Sequence, residues 1–176
     1  MKFTDEQRLI VMMLADIQKA LNIRGDFDPD FISKAAAYKD EFAIAFEHSM
    51  FFDQDDTPEG FKFVIDVLDM WSFIERRVAK LNPEERETLK AKAGIWGEDP
   101  KFAGFDGNNE TELMSYARML VEDLHRFGDF KGRDFNSHFP SEDRQRAMYE
   151  KFKEIRPQLA DRSLTVDELA DLLTTR

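Results

Sequence analysis

The stretch TPEGFKFVIDVLDMWSFI, residues 57–74, decides the fold class. Phe61, Val64, Ile65, Leu68, Trp71 and Ile74 recur at steps of three and four, which places them on one broad face of a helix. Thr57-Pro58 ahead of them supplies a start signal. Working outward, the same signs recur. Thr4 with Gln7 forms a capping-box pattern, and Leu9, Ile10, Met13, Leu14, Ile17 and Leu21 follow at helical spacing. Asp28 and Pro29 open a helix traced by Phe31, Ile32, Ala35, Phe42, Ala45 and Phe46. Asn82 to Glu85 caps a short helix that Gly94 stops. A central helix is expected over residues 109–127, with Leu113, Tyr116, Ala117, Leu120, Val121 and Leu124 facing inward. Ser141 starts another, which carries Met148 and Phe152 and ends at Pro157. Thr165 with Glu168 caps the last. No segment alternates with the period of two that a half-buried strand needs. The expectation is an all-α chain, a single domain of about seven helices. Two long ordered loops, roughly 94–108 and 128–140, flank the central helix, and both hold phenylalanines that would anchor them to the core.

Composition narrows the function classes. The chain has 176 residues, 42% of them hydrophobic and seventeen of them Phe, enough for a sizeable core. Cysteine is absent, so disulfides, thiolate metal sites and cysteine nucleophiles are excluded. The net charge of -11 argues against nucleic acid as the main partner, since phosphate affinity needs clustered Lys and Arg. Residues 1–60 carry 6 basic and 13 acidic groups, net -7, whereas residues 125–156 carry 8 and 6, net +2. The apolar run at 9–15 is too short to span a bilayer, so no membrane is expected and a cytoplasmic location is.

Three acidic clusters invite a calcium reading: DFDPD at 26–30, DQDD at 53–56 and DGNNE at 106–110. None places Gly and Glu where a calcium-binding loop needs them, and each precedes a helix whose free amides a carboxylate caps. Glu122 and His125 form a lone Glu-x-x-His step, and a di-iron bundle needs two. No phosphate loop, dinucleotide fingerprint or nucleophile elbow occurs. The expectation is no metal and no cofactor. Arg118, Arg126 and Arg133, together with Asn136 and His138, form the best candidate polar pocket. Arg118, Arg126, Asn136 and His138 are the candidate ligand-binding residues within it, although a partly buried arginine more often pairs with a carboxylate.

Four segments, read in order, resemble the YfbU family. They are QRLI at 7–10, IDVLDMW at 65–71, GFDGNNE at 104–110 leading to Tyr116 and Arg118, and FNSHFP at 135–140 followed by Met148 and Phe152. MFFDQDDTPEG at 50–60 and RETLKAKAGIWGEDP at 86–100 depart from the family pattern. The resemblance implies a small, mostly helical, cytoplasmic bacterial protein, and it carries no reaction or catalytic residue over to this chain. Missing catalytic signatures and a surplus of amphipathic helix point to a self-associating protein-interaction module. A small-ligand-binding protein or enzyme that uses the loops around 109–127 is the alternative.

Overall fold

The computed structural model describes residues 1–54 and 56–175. All of the regular structure among the described residues is helical. Eight α-helices are formed: α1 Asp5–Ala20, α2 Pro29–Tyr38, α3 Glu41–Glu47, α4 Glu59–Ala79, α5 Pro83–Ala93, α6 Thr111–Arg118, α7 Glu142–Ile155 and α8 Val166–Leu173. The chain divides into two compact units, Met1–Glu59 and Gly60–Arg176.

In the first unit α1 packs on α2. The Thr4–Gln7 capping box forms as expected, and Asp28 caps α2 by accepting from the Asp30 amide. The single helix expected across residues 29–46 is two helices. Lys39 adopts a left-handed backbone at φ 64°, which ends α2 and turns the chain into α3. Neither Gly nor Pro marks that break in the sequence. In α3, buried Glu41 pairs with Arg8, whose side chain is only 14% exposed.

The face by which α1 packs is not its most apolar one. Ala15 is its buried residue, and Arg8, Val11, Met12 and Gln18 on the same side are half-buried. Leu9, Ile10, Met13, Leu14, Ile17 and Leu21 face solvent, each between 50% and 66% exposed.

The second unit is built on α4, whose Phe61, Val64, Val67, Leu68, Met70 and Ile74 are fully enclosed. Asn82 and Thr165 form full capping boxes on α5 and α8. In the latter, Arg162 and the Thr165 cap hold the Glu168 carboxyl down at about 2. The central helix is shorter than its apolar spacing suggests. Its α-helical part ends at Arg118, and Met119–Asp123 continue as a π-helical turn closed by Leu124 N–H donating to Met119 O. His125 and Phe127 then take left-handed backbone, so the chain has left the helix axis before Gly128.

The two long loops meet through one parallel bridge between Phe105 and Asn136. Phe105 N–H donates to Phe135 O at 2.9 Å, and Ser137 N–H donates to Phe105 O at 3.0 Å. Phe102, Phe105, Phe130 and Phe135 from the loops are all buried, with Phe102 edge-on to Phe105 and Phe130. Glu75 of α4 holds both loops: it accepts from Phe102 N–H at 2.9 Å and takes both arms of Arg133 at 2.8 and 2.7 Å.

This junction requires glycine at 104. Its φ is +94°, and a Cβ there would lie 2.0 Å from Phe135 O, a backbone atom that cannot move aside. Gly104→Ala is expected to cost at least about 3 kcal/mol. Gly128→Ala, where nothing lies within 4 Å of the new methyl, is expected to stay within about 1 kcal/mol of the parent. Urea denaturation of the two variants measures both.

Candidate functional site

The sequence places its candidate chemistry around the loops, and the loop junction is where the polar groups converge. Asp106, Glu110 and Ser141 are all buried there. The Asp106 carboxylate accepts from Asn108 N–H at 3.0 Å and from the Asn109 side-chain amide, which hold it below the usual carboxylate range. It therefore shapes the turn before α6 but caps none of that helix's amides, contrary to the capping reading of DGNNE.

Glu110 behaves differently from expectation. It stands at the start of α6 but makes no side-chain cap to that helix. Its Oε1 accepts from Ser141 N–H and Glu142 N–H, both at 2.7 Å, and its Oε2 from Asp106 N–H at 2.9 Å and the Ser141 hydroxyl at 3.0 Å. The carboxylate thus caps α7, a helix that begins more than thirty residues later. Ser141, expected to cap that helix itself, makes no side-chain cap. Burial pushes the Glu110 carboxyl up, but the amides of Glu142, Asp106 and Ser141 and the Ser141 hydroxyl outweigh it, and the group lies below its ordinary value.

Of the four predicted ligand residues, Asn136 belongs to this junction through its bridge to Phe105. Arg118 is exposed and stands 3.4 Å from Asp134 Oδ1, the oxygen that also accepts Asn136 N–H at 3.0 Å. Asn136 Oδ1 in turn accepts from Gly107 N–H at 2.9 Å and His138 N–H at 3.0 Å. Asp134 and Asn136 therefore link Arg118 and His138 along the loop. Arg126 is exposed beyond the π-helical turn, its amide held by Leu120 O. His138 is exposed, near enough to Asp106 to add slightly to its stabilisation. Ser137, its sequence neighbour, spends its hydroxyl on Phe139 O at 2.7 Å. Glu122 of the Glu-x-x-His step accepts from Gly132 N–H. Among the described residues no group of three or more His, Asp or Glu side chains is arranged to hold a metal, and Asp55 of the DQDD cluster lies outside them.

The loops do enclose a cleft, but elsewhere. It has a volume of about 190 Å³ and runs between the 95–104 and 139–145 segments, with Trp71, Trp96, Phe139, Pro140, Arg144 and Gln145 among its walls. Arg118, Arg126, Asn136 and His138 do not line it. Arg144 lies over the Trp96 ring at 4.1 Å and donates to Leu173 O at 2.8 Å and Thr175 O at 3.3 Å. Burial holds its guanidinium below its ordinary value. Gln145, 3% exposed, accepts the Trp71 indole N–H at 2.8 Å. Neither residue is among the candidates that the sequence pattern offers. The signal available was Gln145 itself, a polar residue on the stripe that continues through buried Met148 and Phe152.

A YfbU domain model matches residues 1–175. The chain belongs to the YfbU family. It is also similar to the UPF0304 protein MJECS11 of Methanocaldococcus jannaschii, 30% identical over 149 residues, covering 82% of this chain and 83% of that protein. No solved structure shows a significant match. No described helix is long and apolar enough to cross a membrane.

Glu110→Gln keeps the size of the side chain but removes the charge that four donors share. The expected cost is about 2–4 kcal/mol in urea denaturation at neutral pH. Because the folded carboxyl lies below its ordinary 4.5, the parent's advantage is complete above that pH and shrinks as pH falls through the folded value. The stability curves of the parent and the Glu110→Gln variant should therefore converge in acid. Parallel curves would mean that the charge does not act.

Proposed function

We propose that this YfbU-family chain is a non-enzymatic interaction module that pairs with a second copy of itself through α1. The observation that carries this reading is the solvent-facing stripe of Leu9, Ile10, Met13, Leu14, Ile17 and Leu21. Six aliphatic side chains at least half exposed leave on the order of 600 Å² of apolar surface, at the top of what a monomer's largest patch reaches. Two copies would bury about 1,200 Å² between them, the lower bound for a specific interface. Exposed Ile23 and Phe27 extend the surface beyond the helix end, where Gln18 donates to both of their carbonyl groups.

The charges on α1 favour a second copy in antiparallel order. Glu6 lies in its first turn and Arg24 just beyond its last, while Asp5 and Lys19 are engaged within the chain by Arg8 and Asp30. A two-fold axis across the middle of the stripe brings acid from one copy beside base from the other, the self-complementary arrangement of a closed dimer. Opposed helix dipoles add to the match. The net -7 of residues 1–60 works against association, so salt should strengthen the pairing by screening that repulsion.

Sedimentation equilibrium tests the reading. The parent is expected at twice the 20.6 kDa chain mass, and Leu14→Lys at the single mass with its helical circular dichroism unchanged. A parent that stays at the single mass at high concentration contradicts the proposal.

A further inference from the structure

The cleft between the loops is independent of α1 and has an unused binding chemistry. Arg144 has five N–H donors, of which the Leu173 and Thr175 carbonyl groups occupy two. No carboxylate among the described residues pairs with it, although it is half-buried. A half-buried guanidinium without an acid is uncommon, because burying an unpaired charge is costly. Gln145 supplies a second donor. Trp71 can only donate, so it takes the Gln145 oxygen and leaves the amide NH2 without an acceptor among the described residues. That NH2 belongs to a nearly inaccessible residue on the cleft wall. The remaining walls are largely apolar, from Trp71, Pro100, Phe139 and Pro140, and the one carboxylate on the rim, Asp99, is paired with Lys101 at 2.7 Å.

Size sets the class of occupant. A cavity of about 150 Å³ accommodates benzene, so one of about 190 Å³ accommodates a single ring bearing a carboxylate. We propose that this cleft binds a small aromatic monocarboxylate, its anion held by Arg144 and the Gln145 amide and its ring seated among Trp71, Phe139 and Pro140. A planar carboxylate matches the guanidinium fork, and the largely apolar walls suit the ring.

The chain has two tryptophans, and both line the cleft, so intrinsic fluorescence reports occupancy directly. The experiment titrates the full chain with benzoate and, separately, with benzamide, which has the same ring and no charge. Benzoate is expected to give a saturable change below about 20 mM, with benzamide at least about tenfold weaker. Arg144→Gln is expected to weaken benzoate by a similar factor and leave benzamide unaffected. Arg144 also holds the end of α8, so if that variant does not fold, the comparison of the two ligands on the parent decides alone. Equal affinity for benzoate and benzamide, or no saturable change with benzoate, overturns the proposal.

Discussion

One buried carboxylate holds the second unit's two irregular segments to its helices. Glu110 gathers amides from Asp106, Ser141 and Glu142 and the Ser141 hydroxyl onto two oxygens. A loop running through a protein interior must satisfy every backbone polar group it buries, and a helix start leaves several amides open. Glu110 meets both demands at once. With the 102–110 segment held against α7, Gly104 can approach Phe135 and the four loop phenylalanines can close over α4. Glu75 anchors the same two segments from the α4 side, through Phe102 and Arg133. The cleft beside Trp71 exists because this junction fixes Gly104 and Ser141 on its rim.

The two units solve the problem of apolar surface in different ways. The second encloses its large side chains, Phe61, Phe105, Phe130, Phe135 and Phe152 among them. In the first, α1 buries Ala15 alone, and α2 buries Phe31, Ala35 and Ala36. The larger aliphatic residues of the α1 stripe are left exposed. A second copy of the same stripe, as proposed above, would cover this polar-flanked apolar face with the same chemistry.

Much of the architecture was legible in the sequence. Capping boxes at Thr4, Asn82 and Thr165 depend on a side chain and its own neighbours, so local pattern locates them. The helical spacing of α4 was equally plain. What escaped were features set by distant contacts. The break at Lys39 and the π-helical turn after Arg118 have no Gly or Pro to announce them. Glu110 reads as a dipole partner of its own helix, and only the fold shows that it caps another one. Periodicity located the α1 stripe but is silent on which side of a helix meets the core. The site residues divide in the same way. Arg118, Asn136 and His138 are joined through Asp134 and by backbone contacts along one loop. Arg144 and Gln145 meet a cleft whose other wall lies some forty residues earlier in the chain.

The central claim is that α1 is covered by α1 of a second copy in antiparallel order. The chain has no cysteine, so a single introduced thiol carries a spin label without background. Pulsed electron spin resonance on Met13→Cys, near the middle of the stripe, should give a short distance between copies, under about 25 Å for helices packed side by side. Labels on Glu6→Cys, near one end, should lie farther apart by roughly 20 Å along the axis. Short distances at both positions would contradict the antiparallel order, and no dipolar coupling at either would contradict the pairing itself.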